Sequence, residues 1–480
     1  MNTPLARHPL ALVAIGWLAA GAALGQPAPV APAPPVPSSA PASAAGATPW
    51  PTAAAPAAAP DPDCAAPAAT LDWAGAQRRL ARCNRELRVA LRTTDSALAD
   101  IRVAGQRPNP TLSAGVGNVN PRIGLGGGNN PLDYQLDYVA RIDQTYERGG
   151  KRDLRIESAE HAWRASIWNA AETLRRQQLA LAQAWIALWG AQERLRLQRD
   201  VLDLYRRTLD AAQRRLKAGD VAAADVARID LDVRRAEAEM TAVEGERIAA
   251  RNAVAALLAM DAGAGGPSAA EPWPTIAEPA AAPLLPPGEA DRPDLQATRA
   301  QQAAADAQSR LARSQRTRDV TVGVQAERYA PPAGGGWLLG AFVSVPIFVH
   351  HRFEGEIARA EAERELAAES LTRIEQQARA DQLRLLDARA AARARRERIE
   401  RDALPLAERV AADADLAYRK GAGTVLELLD ALRQLRALQI DALQARLDHD
   451  RADAAARAEM LTAGAADDPV FGASLRMRPT

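Results

Sequence analysis

Leucine and isoleucine recur at every seventh position along one stretch of the first half of the chain. The stretch begins at Ile167 and ends at Leu216, and the seven-residue spacing is kept throughout. Such spacing, sustained over many turns, is typical of the seam of a long coiled coil. Apolar positions with the same period follow between residues 226 and 257 and, with more alanine, between residues 428 and 445. The pattern predicts long helices packed side by side, and Pro405 predicts a kink or a helix junction.

Shorter segments alternate between apolar and polar residues, which is the period of a β-strand. They cover residues 111–118, 133–143, 319–327 and 337–348. Alternation over about ten residues is typical of strands in a membrane β-barrel, although a soluble sheet with one wet face fits any single strand equally well. Each half of the chain supplies two such strands, joined by a loop rich in glycine and proline and followed by a long helix. This pairing favours the membrane barrel.

The unit of two strands and a long helical hairpin occurs twice, and each hairpin breaks next to a lysine and a glycine. The breaks lie near residues 217–225 and 418–430. Their lysine and glycine positions are Lys217, Gly219, Lys420 and Gly421. Four strands cannot close a barrel alone, because two open edges in lipid would leave backbone groups unpaired. The predicted fold is therefore mainly helical with a membrane β-barrel part, in which a homotrimer shares twelve strands above coiled coils.

The amino terminus predicts a targeting signal rather than a folded element. Arg7 and His8 precede an apolar run that ends in small residues, which indicates a secretory signal peptide cleaved before Gln26; a membrane anchor is the alternative. Proline- and alanine-rich sequence, which cannot bury a core, flanks the first repeat on both sides. The predicted segments are a signal peptide at 1–25, a tether at 26–68, a first repeat at 69–260, a linker at 261–293, a second repeat at 294–462 and a tail at 463–480.

Composition narrows the classes of function. Lysine and arginine total 60 and aspartate and glutamate total 59, which argues against a nucleic-acid partner because such a partner needs a basic face. Export to an oxidising compartment allows a disulfide between Cys64 and Cys83, with two unrelated thiols as the alternative. The sequence has no metal-ligand spacing, phosphate loop or nucleophile motif. We therefore expect no resident metal, no cofactor and no enzymatic activity.

Several short stretches carry a resemblance to a known family. They are RPNPTLSAG at 107–115, ERGGKRDLRIESAE at 147–160, DRPDL at 291–295, VPIFVHHRFEGEIARAEAE at 345–363, and the two hairpin tips. In this order and spacing, the chain resembles the outer-membrane efflux protein family of TolC-like ducts, most closely its heavy-metal, CzcC-type branch. The resemblance implies a trimeric exit duct in the outer membrane of a Gram-negative bacterium, with its helices in the periplasm. Its partners would be a periplasmic adaptor, docked on the tips, and an inner-membrane proton-driven pump of the RND type.

The resemblance also assigns roles to residues of the tips. Asp225 would pair with Tyr418 and hold the two coils together, while Glu427 and Asp430 would line the narrowest part of the bore. Three copies of each carboxylate would hold cations and repel anions. The alternative for the acidic residues is ordinary placement in a first helical turn, which the helix dipole favours.

The expected function is export of heavy-metal cations through a tripartite system. A duct of the same fold for drug efflux or type I secretion is an alternative. A periplasmic coiled-coil adaptor or scaffold is an alternative from a different class.

Overall fold

The computed structural model describes residue 64 and residues 70–117, 136–260, 267–269, 292–329 and 336–460. The predicted signal peptide and carboxy-terminal tail lie outside these residues, as do the predicted tether apart from Cys64 and most of the predicted linker. Among the described helices, none combines the length and the apolarity needed to cross a membrane.

Long helices make up most of the described chain. They are α1 (Trp73–Cys83), α2 (Arg85–Ala104), α3 (Lys151–Ala218), α4 (Ala223–Leu257), α5 (Pro293–Ser314), α6 (Glu354–Arg398), α7 (Leu404–Arg419) and α8 (Val425–Met460). Helices α3 and α4 form the first hairpin, and α6, α7 and α8 form the second. With 68 residues, α3 is about 100 Å long at 1.5 Å per residue.

The seven-residue seam of α3 is buried in its central part. Leu174, Leu181, Leu188, Leu195 and Leu202 are all at most 5% exposed. Toward the tip, the seam opens to solvent until Leu216 is 37% exposed. The predicted coiled-coil seam is confirmed in this central part, where neighbouring helices cover it on both sides.

The junction predicted at Pro405 is a single π-helical turn, Ile399–Ala403, between α6 and α7. The backbone N–H of Leu404 donates to the carbonyl of Ile399, five residues earlier. A proline lacks the N–H of a regular helical bond, and its ring would collide with the carbonyl four residues before it. The wider turn accommodates Pro405 in the first turn of α7 without ending the helical path.

The four predicted strands form one antiparallel sheet. They are β1 (Thr111–Gly117), β2 (Asp137–Tyr146), β3 (Val320–Arg328) and β4 (Trp337–Ser344), in the order β1-β2-β3-β4. The central pair β2–β3 joins the two halves of the chain, so β1 and β4 are the sheet edges. The prediction carried the last strand to residue 348, but pairing stops at Ser344 because Pro346 cannot donate to a ladder.

The two faces of this sheet differ in chemistry. Leu112, Ile142 and Val324 lie side by side in register, and they are 70%, 49% and 60% exposed. The opposite face carries polar pairs, including Thr145 and Thr321, whose hydroxyl oxygens are 2.9 Å apart. An apolar face left open beside a hydrogen-bonded polar face is the arrangement that the alternating sequence predicted.

The largest core cluster lies where α1 packs across α3. It includes Leu80, Leu181 and Trp185, all 1% exposed or less. Beside it, Gly190 of α3 allows α8 to approach, since a Cβ there would lie 2.5 Å from Leu447 Cδ1. A two-residue parallel pair, Thr70–Leu71 with Ser268–Ala269, covers the same region.

A disulfide between Cys64 and Cys83 is present, with the two Cα atoms 5.6 Å apart. It ties residue 64 to the end of α1. The Arg79 guanidinium donates to the carbonyl oxygens of Cys64 at 2.8 Å and of Leu258 at 3.3 Å. Of the two possibilities left open by the sequence, the structure therefore has the bonded pair.

Candidate gate between the two helical hairpins

Both hairpin tips are closed by a glycine in the left-handed conformation. At the first tip, Gly219 has φ 85° and the N–H of Asp220 donates to the carbonyl of Arg215 at 2.9 Å. At the second, Gly421 has φ 74° and the N–H of Ala422 donates to the carbonyl of Ala417 at 2.9 Å. Glycine adopts this conformation without the penalty that a Cβ imposes. The neighbouring Lys217 and Lys420 are exposed.

The acidic residue Glu427 is part of a helix cap in this structure. Its carboxylate accepts from the backbone N–H of Thr424 at 2.8 Å, and the Thr424 hydroxyl accepts from the N–H of Glu427 at 3.2 Å. This reciprocal pair is a capping box. The backbone hydrogen bond, followed by the side-chain one, lowers the pKa of the Glu427 carboxyl. The cap therefore stabilises the tip at neutral pH, and its contribution is lost as the pH falls through the lowered pKa.

Asp430 lies one turn further along α8 and is exposed. Its carboxylate accepts from the side-chain amide of Gln434 at 2.8 Å, a bond within the same helix. Within the described part of the chain, the Asp430 carboxylate therefore contacts only its own helix, whereas the carboxylate of Glu427 is engaged in its cap.

Tyr418 and Asp225 are not joined by a hydrogen bond. Asp225 pairs with Arg228 of its own helix at 3.2 Å. The Tyr418 hydroxyl is buried and has no hydrogen-bond partner among the described residues. Instead, the Arg215 guanidinium of the first hairpin lies over the Tyr418 ring, 4.8 Å from its centroid. Within one chain, Tyr418 therefore contacts the first hairpin through a cation–π contact rather than through a hydrogen bond with Asp225.

In a duct of the kind that the sequence resembles, this contact predicts opposite behaviour for two substitutions. Tyr418→Phe keeps the ring and removes only an unpaired buried hydroxyl, so the closed-state conductance in planar bilayers should stay the same. Arg215→Ala removes about 0.5–1 kcal/mol of cation–π attraction per chain and should raise that conductance. An increase with Tyr418→Phe and none with Arg215→Ala would instead support the hydrogen-bonded pair with Asp225.

A second set of contacts joins the hairpins further along their length. The Arg433 guanidinium of α8 donates to both carboxylate oxygens of Asp232 of α4, at 2.9 and 2.7 Å. Asp232 is buried, whereas the Arg433 side chain is 46% exposed. We call this ion pair, together with the contacts of Arg436, the interhairpin clasp.

Arg436 completes the clasp one turn along α8. Its guanidinium donates to the side-chain oxygen of buried Gln198 of α3 at 2.9 Å and contacts Glu239 of α4. The amide of Gln198 in turn donates to the carbonyl of Ala236 at 2.9 Å. Burial, followed by the negative charge of Asp232, raises the pKa of the neighbouring Tyr205 phenol. The buried side chain of Gln198 thus links its own helix α3 to α8 and to α4.

The clasp was not predicted, although the sequence contains one signal of it. Gln198 and Tyr205 each stand three residues after a seam leucine, at positions that a coiled coil normally fills with apolar side chains. A polar residue there indicates a specific partner. The partner of Gln198 is Arg436 of α8, which lies 238 residues further along the chain.

The chain matches the model of one protein family over most of its length. The family model for outer membrane efflux proteins matches residues 76–260 and 288–459. The chain belongs to the outer membrane efflux protein family. The two matched ranges contain both hairpins and all four strands.

Individual relatives agree with this assignment. The chain is 25% identical over 358 residues to the cobalt-zinc-cadmium resistance protein CzcC of Cupriavidus metallidurans, covering 73% of this chain and 81% of that protein. It is 28% identical over 242 residues to the nickel-cobalt-cadmium resistance protein NccC of Alcaligenes xylosoxydans xylosoxydans, covering 49% and 54%. A crystal structure of CusC superposes with a TM-score of 0.67 at 17% identity, covering 80% of this chain and 91% of that one.

Membership confirms the predicted mainly helical channel fold and the predicted location in the outer membrane. This efflux-family chain is an outer-membrane channel protein with its helical part in the periplasm, and it is not an enzyme. The adaptor or scaffold alternative is therefore set aside.

Proposed function

We propose that this protein is the outer-membrane channel of a tripartite, proton-driven efflux system of the RND type that exports heavy-metal cations. The observation that carries the proposal is the similarity to CzcC, which spans most of both chains. NccC, whose name also states resistance to metals, supports the same class of cargo. An efflux duct for drugs or a type I secretion duct remains the alternative, since the fold is shared.

The proposed assembly is a homotrimer. Strands β1 and β4 are free edges of a four-stranded sheet, and the apolar face of that sheet is exposed. Three copies would pair β4 of one chain with β1 of the next and close a twelve-stranded barrel with its apolar face toward lipid. A folded monomer in a mass measurement of the detergent-solubilised protein would contradict this assembly.

The hairpin tips would close the periplasmic end and receive the adaptor. Gly219 and Gly421 give both tips the same tight closure, and Lys217 and Lys420 stand exposed beside them. In this arrangement, the Arg215–Tyr418 contact and the interhairpin clasp hold the closed state. The exposed Asp430 carboxylates of three chains would form an anionic ring that attracts cations.

The cargo is tested by the growth of a deletion strain. We expect lower tolerance of cobalt, zinc, cadmium or nickel, restored by the wild-type gene, with unchanged tolerance of hydrophobic drugs. The gene carrying Arg234→Ala, a change in a surface ion pair of α4, is the control variant. It should restore metal tolerance as the wild-type gene does. Unchanged metal tolerance together with drug sensitivity would favour the alternative duct.

A further inference from the structure

Three side chains on the polar face of the sheet form one cluster. The Arg141 guanidinium donates to the Asp143 carboxylate at 2.8 Å. The same guanidinium lies over the Phe342 ring, 4.7 Å from its centroid. The Arg141 and Asp143 side chains are 30% and 20% exposed. Arg141 is therefore held along the sheet surface, between a carboxylate and an aromatic ring.

Two glycines make room for this cluster. Gly323 of β3 stands between Asp143 and Phe342 in the cross-strand register, and a Cβ there would collide with the Asp143 carboxylate. Gly340 of β4 lies beneath the Phe342 ring, and a Cβ there would come within 3.1 Å of it. The carboxylate and the ring therefore rest on positions that lack a side chain, which lets them lie flat.

The position of the Arg141 guanidinium depends on this arrangement. Arg141 is the cationic member and Asp143 neutralises it at direct contact. If the carboxylate were displaced, the guanidinium would be free to leave the sheet surface. On the inner wall of a trimeric barrel, three such arginines would form a ring that attracts multivalent anions and repels cations.

We propose that Arg141, Asp143 and Phe342, seated on Gly323 and Gly340, form a charge-neutral section of the channel wall that keeps an anion-binding arginine ring out of the path of exported cations. This inference rests on the proposed trimeric barrel, in which the polar face lines the bore. It assigns a selectivity role to the membrane part, separate from the gate at the periplasmic tips.

The test uses block of the whole purified channel in planar bilayers by tripolyphosphate added to the outer side. Asp143→Asn, which removes the neutralising charge, should lower the half-blocking concentration roughly tenfold or more relative to wild type. Gly323→Ala, which moves the carboxylate away from Arg141 but keeps its charge, should lower it in the same direction by a smaller factor. Adding Arg141→Gln to either variant should abolish the gain. Gly117→Ala is the matched control, since its Cβ would have an ordinary 3.8 Å contact.

A second measurement separates this inference from the barrel. The two native cysteines are bonded to each other, so Gln325→Cys provides a single thiol on the polar face. A membrane-impermeant thiol reagent should reduce the conductance of this variant. No reaction would overturn the barrel and the inference together. Reaction without any gain of block in Gly323→Ala or Asp143→Asn would overturn the inference alone.

Discussion

Replacing Arg433 with alanine is expected to move the channel from its closed toward its open state. The substitution leaves the Asp232 carboxylate buried without its ion-pair partner. A hydrogen bond to a charged group contributes about 1.5–3 kcal/mol, and we take about 1 kcal/mol because solvent screens the exposed arginine. Three copies would shift the equilibrium by about 3 kcal/mol, or roughly a hundredfold. Conductance of the purified channel in planar bilayers measures this shift.

Two control variants test whether loss of the interhairpin clasp causes the change in conductance. Arg234→Ala removes an arginine of α4 that is 70% exposed and pairs only within its own helix, so it should leave conductance unchanged. The double variant Asp232→Ala with Arg433→Ala removes both charges and should open the channel less than Arg433→Ala alone. Wild-type conductance in Arg433→Ala would show that the clasp does not hold the closed state.

Loss of the disulfide is expected to destabilise the region where α1 crosses the long helices. The bond spans 19 positions in the chain, and closing a loop of that size stabilises a fold by about 3 kcal/mol. Cys83→Ser should therefore lower the unfolding temperature and expose the chain near Leu71 to limited proteolysis.

Treatment of the purified protein with a reductant is the control for this prediction. Reducing the wild-type protein should reproduce the behaviour of Cys83→Ser, and the same reductant should leave the variant unchanged. The double variant with Cys64→Ser should match the single one. Equal protease resistance of oxidised wild type and Cys83→Ser would show that packing alone secures α1.

Local patterns predicted the parts of this fold that depend on local spacing. The seam from Leu174 to Leu202 is buried because a seven-residue repeat keeps one helix face turned to its neighbour. The alternating strands formed with an apolar and a polar face because successive side chains point to opposite sides. Gly219 and Gly421 end helices at the expected places because only glycine takes that backbone conformation freely.

These local patterns could not predict contacts between segments that are distant along the chain. Nothing in the neighbourhood of Arg433 or Asp232 along the chain shows that they meet, because their pairing depends on how the fold brings α8 and α4 together. The Asp225–Tyr418 hydrogen bond that the resemblance implies is absent from the single chain. Arg215 occupies the face of the tyrosine ring, and Arg228 engages the aspartate within its own helix.

The most direct test of metal export is the loss of metal from loaded cells. Cells of the wild type, the deletion strain and the complemented strain are loaded with cadmium and moved to cadmium-free medium. Cell-associated cadmium is then followed by mass spectrometry. We predict that the deletion strain retains cadmium and that complementation restores its loss. Clearance of cadmium by the deletion strain at the wild-type rate would contradict a metal-exporting channel.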